Sequence, residues 1–103
     1  MNMIKHIVLW TFKEQAEGKS KKENLRETKA LLEGLKDKIE EVKHLEMGIN
    51  FNPGLHAYDL ALYSEFSSKE DLLTYTNHPE HQRVVEHLGR VRDQRIVVDY
   101  ETE

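Results

Sequence analysis

Residues 4–12, IKHIVLWTF, run in two rows that are both mostly apolar: Ile4, His6, Val8, Trp10 and Phe12 in one, Ile7 and Leu9 in the other. β-Branched and aromatic residues at this density predict a strand, and apolar residues in both rows predict burial on both faces. The next segment changes period. In SKKENLRETKALLEGLKDKIEEV, Leu25, Leu32, Leu35, Ile39 and Val42 recur at spacings of seven, three, four and three, one stripe of an amphipathic helix. Ser20 with Glu23 is a capping-box pattern at its start. A single helix over this stretch would be roughly 30 Å long, enough to cross a small sheet. HLEMGIN returns to alternation, with Leu45, Met47 and Ile49 facing one side and His44, Glu46 and Asn50 the other. Asn-Pro-Gly then marks a loop. AYDLALYSEF is a third strand, with Tyr58, Leu60, Leu62 and Phe66 on one face and Ala61 and Tyr63 on the other. SSKEDLLTYT opens with serine ahead of acidic residues, a helix start. HPEHQRVVEHLGRV is a further helix with its expected end at Gly89, and QRIVVDY is a last strand, apolar on both faces.

The order β-α-β-β-α-β predicts an α+β, ferredoxin-like fold with a four-stranded antiparallel sheet. Right-handed crossovers put both helices on one face of that sheet. The other face, carrying Ile7, Leu9, Ala61, Tyr63 and one side of IVV, then has no cover within the chain. A second subunit, sheet against sheet, is the expected partner. With 103 residues, one domain spanning 1–103 is expected, and a domain of this size buries roughly 65% of its unfolded surface.

Composition narrows the function. The chain is 38% hydrophobic and 33% charged, as a globular domain with a heavily charged surface is. A net charge of −4 argues against nucleic acid, which calls for clustered positive charge. The lysine-rich GKSKKENLR runs straight into acidic residues and reads as a solvated helix end. There is no cysteine, which excludes disulfides, thiolate nucleophiles and thiolate metal sites. The longest apolar run, IVLW, is far too short to span a membrane, and MNMIKHIVLWTF lacks the apolar region and cleavage site of a signal peptide. A cytoplasmic protein with no membrane partner is expected. No glycine-rich phosphate loop is present, and Ser64, Ser67 and Ser68 lie in no nucleophile elbow.

What remains is histidine chemistry, concentrated in TYTNHPEHQRVVEHL. Pro79 biases His78 to an extended conformation and suits the first helical position, so His78 is expected at the helix N-cap. His81 shares a helix face with Val84, Val85 and Leu88 and is expected to point at the sheet, toward the row of His6, Val8 and Trp10. A histidine in a cleft near Tyr75 suits general acid–base work, its ordinary pKa being about 6.5. The competing reading is a buried histidine bonded to Tyr75 or to backbone, holding two helices together. His87 is expected in solvent, His44 on the polar side of its strand and His56 in a loop, none with chemistry. Zinc needs three or four ligands converging within ~2.0–2.3 Å, and a capping His78 points away from His81 and His6, so no metal site is assigned. Asp99 and Glu101 would hold magnesium only loosely. Trp10 and Tyr63 are candidates for an aromatic wall, although such residues more often belong simply to the core.

HIVLWTF, YDLALYSEF, LLTYTNHPEH and RIVVDY, in that order, resemble the stress-responsive dimeric α/β-barrel (Dabb) family over essentially the whole chain. The string Tyr-x-x-His-Pro-x-His together with the terminal Asp-Tyr is the specific part. The resemblance implies a homodimer whose two sheets close into a barrel, but no one activity, because most bacterial members have no assigned reaction. One plant branch of the family is a polyketide cyclase that makes olivetolic acid by an intramolecular aldol condensation, without a cofactor, using a tyrosine–histidine pair. That pair falls on Tyr75 and His81, and a further pocket histidine falls on His6. Another, on the third strand, falls on Leu60, a departure from that branch's pattern. The resemblance places His6 and Leu60 at a pocket between sheet and helices, and the strand row and helix face that meet there add Val8, Trp10, Val84 and Val85 to its expected lining. It would take a small, largely apolar ligand and need no cofactor. If there is catalysis, Tyr75 would hydrogen-bond a carbonyl or enolate oxygen and His81 would shuttle the proton. The alternative is a non-catalytic structural or stress-protective module whose pocket is filled by its own side chains. Cofactor-free monooxygenases, which share such barrels, are a more distant third. A cavity of ~300 Å³ or more beside His81 separates the first two readings.

Overall fold

In the computed structural model, which describes residues 2–103, the alternating IKHIVLWTF forms β1 (Ile4–Phe12). A short hairpin follows, β2 (Gln15–Ala16) and β3 (Lys19–Ser20), then α1 (Lys21–Glu33), the one-turn α2 (Leu35–Lys38), β4 (His44–Ile49) and β5 (Leu60–Phe66). The chain ends in α3 (Lys69–Asn77), α4 (Pro79–Val91) and β6 (Arg92–Glu101). The main sheet has the order β4-β5-β1-β6, and every neighbouring pair is antiparallel. This is the ferredoxin-like α+β arrangement that the element order predicts.

Alternation decides which residues meet the helices. His6 lies opposite Ser64 on β5 and Asp99 on β6, Val8 opposite Leu62 and Val97, and Trp10 opposite Leu60 and Arg95. The even row of β1 is buried against α1, α3 and α4, where Leu32, Phe66, Tyr75, Leu88 and Val91 complete the core. On the other face, Ile96, Val98 and Tyr100 are 48%, 52% and 48% exposed. Trp10 and Tyr63 therefore form no common aromatic wall. Tyr63 pairs with Ile7 on the uncovered face, where its hydroxyl accepts from Lys5 Nζ at 2.6 Å.

The single long helix expected over SKKENLRETKALLEGLKDKIEEV is broken at Gly34. The Gly34 N–H still bonds to the Ala30 carbonyl at 3.1 Å, but only one more turn follows, and Ile39 is extended (φ −127°, ψ 106°). Glycine is a poor helix former, and the chain has to bend here to reach the sheet edge. All five stripe residues are buried regardless, so the pattern read burial correctly and continuity wrongly. The capping box is present: Glu23 N donates to Ser20 Oγ at 3.2 Å and Ser20 N to Glu23 Oε1 at 3.1 Å. The β2–β3 hairpin was not anticipated. Its turn residues Glu17 (φ 53°) and Gly18 (φ 72°) are both left-handed, the geometry that tight two-residue hairpins require. α4 also runs two residues past Gly89, because Leu88 and Val91 of its last turn are buried. Among the described residues, no helix is long and apolar enough to cross a membrane.

Candidate functional site

The junction of α3 and α4 determines where each histidine points. His78 is extended (φ −65°, ψ 135°), Pro79 opens α4, and the Glu80 amide donates to His78 Nδ1 at 3.0 Å. His78 is thus an N-cap, with its acceptor nitrogen occupied by backbone. Three residues on, His81 faces the sheet. It borders a cavity of about 310 Å³ floored by His6, Val8 and Trp10 of β1, walled by Val85 and Leu88 of α4 and flanked by Arg92 and Arg95 of β6.

Hydrogen bonding fixes the tautomer of both histidines. His81 Nδ1 lies 3.0 Å from the Thr76 carbonyl, which can only accept, so Nδ1 carries the proton. The same carbonyl accepts from Gln82 Nε2 at 2.7 Å. His6 Nδ1 contacts a carboxylate oxygen of Asp99, its cross-strand neighbour, so it too donates. In both rings Nε2 is left as the basic nitrogen, and neither Nε2 has a protein partner among the described residues. Ser64 Oγ donates to the His6 carbonyl at 3.1 Å and pins the strand beneath. The His6 ring is held by a carboxylate in the manner of an orienting histidine–aspartate pair.

Burial holds His81 below its ordinary pKa of 6.5. The backbone bond to Thr76 opposes this, and the nearby His6, Arg95 and His78 reinforce it. His81 is therefore neutral near pH 7 and available as a base. Tyr75 lies behind it, 1% exposed, with ring centroids 4.4 Å apart and the His6 ring at 6.2 Å. Burial pushes the Tyr75 phenol well above the usual range, with Arg95 pulling weakly the other way. Tyr75 is a neutral hydroxyl and a potential donor, not a phenolate.

The structure groups His6, Val8, Trp10, His81 and Val85 around this cavity and leaves three other sequence-derived candidates outside its lining. Tyr75 backs the His81 ring from the core. Leu60 lies across β1, on the β5 side of Trp10, whereas the cavity opens toward β6. Val84 turns toward Leu31 and Leu35 on the far side of α4, because one helix step from Val85 rotates it by about 100°. His87, expected in solvent, shares a 3.1 Å hydrogen bond through Nε2 with the buried Thr28 and ties α4 to α1. Asp99, considered for magnesium, is engaged by His6. Among the described residues, no group of three or more His, Asp or Glu converges as a metal site would.

Arg92, Arg95, Thr76 and Gln82 also line the cavity and were missed. The inward row Arg95, Val97, Asp99 was visible as an alternation in the sequence, but its orientation depends on strand register.

A cavity bordered by two oriented histidines, between the sheet and the helical layer of a ferredoxin-like domain, describes a class of small α+β proteins. This chain belongs to the Stress responsive A/B Barrel Domain (Dabb) family, which it matches over residues 4–102. It is similar to a dimeric protein of unknown function and ferredoxin-like fold from Bacteroides fragilis, with 36% identity, TM-score 0.86, and 97% of this chain and 96% of that one covered. A Dabb family protein with a ferredoxin-like fold from Mesorhizobium loti is 26% identical, with TM-score 0.69 and coverage of 97% and 96%. The hydroxynitrile lyase of Passiflora edulis is 19% identical, with TM-score 0.83 and coverage of 98% and 94%. No curated protein matches the chain.

Proposed function

We propose that this protein is a homodimer that binds a small, largely apolar ligand in the cavity beside His81, and that His81 acts there as a cofactor-independent acid–base group. The observation that carries this reading is the cavity itself: about 310 Å³, at the lower end of the ~300–1,000 Å³ range of small-molecule sites. A module filled by its own side chains would have no such space. His81 Nε2 is the free base of a neutral ring, suited to taking a proton from a ligand carbon or hydroxyl. His6, held by Asp99, is the second group able to accept or return a proton. Tyr75, outside the cavity lining, supports the His81 ring from the core. The likeness to the hydroxynitrile lyase, at 19% identity, supports the fold and not that reaction. The dimer is supported by the uncovered apolar sheet face and by the description of the Bacteroides fragilis relative as dimeric.

Thermal melts of the wild type, His81→Ala and His78→Ala, each with a screen of aromatic and polyketide-like compounds, test this reading. A ligand should raise the melting temperature of the wild type and of His78→Ala but not of His81→Ala. His81→Ala should remain folded, and His78→Ala should lose about 1 kcal/mol through its helix cap. If no compound stabilises the wild type and His81→Ala unfolds, His81 is a structural histidine. If His78→Ala alone loses binding, the wrong histidine has been assigned.

A further inference from the structure

We propose that the ligand is an acid: an apolar body carrying a carboxylate that Arg92 and Arg95 bind at the β6 side of the cavity. This deepens the proposed binding function and rests on it. The protein is acidic overall, with 19 Asp and Glu against 15 Lys and Arg, yet two arginines and no carboxylate line this cavity. Two of the other three arginines are ion-paired: Arg83 with Glu80 at 2.8 Å and Arg90 with Glu17 at 2.8 Å. Arg92 has only a 3.3 Å bond to the Asp93 carbonyl, and neither it nor Arg95 is ion-paired among the described residues.

A second observation points to the same place. Residues 92 and 95 are three apart, so strict alternation would send them to opposite faces of the sheet. The register shifts by one between Trp10 and Phe12: Trp10 pairs with Arg95 and Phe12 with Arg92. One extra residue of β6 is absorbed as a bulge, and both arginines fall on the helix-facing side with the buried Trp10 and Phe12. Bulges re-aim side chains in this way next to functional sites. Arg95 lines the same cavity as His81 and His6, so an anion on it sits beside the acid–base groups. Two guanidinium groups suit the planar, two-oxygen geometry of a carboxylate. Val8, Trp10, Val85 and Leu88 leave an apolar space for one ring or a short chain.

The test compares 4-ethylbenzoate with 4-ethylbenzamide, equal in shape but not in charge, by calorimetric titration of the wild type, Arg95→Gln, Arg95→Lys and the double variant Arg92→Gln/Arg95→Gln. The wild type should prefer the carboxylate by at least about tenfold. Arg95→Lys should keep part of that preference, and the double variant should lose it while binding the amide unchanged. Arg95 is exposed, so these variants should melt like the wild type. Amide binding equal to or tighter than benzoate binding in the wild type, or a preference that survives in the double variant, overturns the acid assignment and leaves the pocket standing. Failure of both compounds to bind overturns the acid assignment and the pocket reading together.

Discussion

The two faces of the sheet carry similar apolar residues and meet different fates. On the helix side, Val8 and Leu62 are buried, and the cavity beside His81 opens over β1 and β6. On the other side, Ile7, Leu9, Ala61 and Tyr63 are half-buried by their neighbours, while Ile96, Val98 and Tyr100 stand open. Hydrophobicity alone does not distinguish these faces. Helix coverage does, because two crossovers of the same hand stack on one side. An open apolar face of this extent in a folded chain calls for a partner, and a second copy, face to face, is the simplest one. The covered face stabilises the subunit and holds the cavity, whereas the open face is the one available to the proposed dimer.

A charge at the open face is the strongest way to break this comparison. Leu9→Asp would leave an unpartnered carboxylate in an apolar interface, at a cost of several kcal/mol. Sedimentation should then show a 12.2 kDa monomer or aggregate. A soluble dimer with an unchanged melting temperature would remove the open face from the interface. The mirror experiment is Leu62→Ala on the covered face. It creates a core cavity worth about 2–5 kcal/mol and should lower the melting temperature by roughly 10–25 °C while the folded protein stays dimeric. Loss of the dimer with little loss of stability would mean that the faces had been exchanged.

The smallest effect is the pH response of the cavity. His81 has a folded-state pKa below 6.5, and His87 is lowered likewise, chiefly by burial and against the pull of Glu27. Below pH 6.5 the unfolded chain binds protons that these rings refuse, so their contribution is complete above pH 6.5 and is lost as pH falls toward their folded values. The melting temperature should decline from pH 6.5 to 5. His81→Gln should flatten part of that slope, with His87 supplying the remainder. A slope unchanged in His81→Gln would show that its ring is not desolvated.

The histidines show how much of the site could be read in advance. His78 as a cap follows from Pro79 and the following Glu80, all within one turn of chain, and the structure has that cap. The inward aim of His81 follows from its spacing to Leu88. His87 was misread because its partner Thr28 is 59 residues away, and helix periodicity places a residue at the edge of a face without saying what crosses that edge. Leu60 was expected at the cavity because the family resemblance puts a pocket residue there, and Val84 because a helix face was treated as a unit. Neighbours in a row diverge once the opening lies over one strand pair and not the next.

Local pattern by itself determined the four strands of the main sheet, the capped helix starts, the ferredoxin-like order and the surplus of apolar surface on the sheet. These properties depend on residues within a few positions of one another, where sterics, capping bonds and period are decisive. Only the tertiary structure decided the break at Gly34, the pairing of His6 with Asp99 and the bulge that turns Arg92 and Arg95 to the same side. Each depends on where a distant segment arrives and in what register, and a one-residue shift in register reverses which side chains face the cavity.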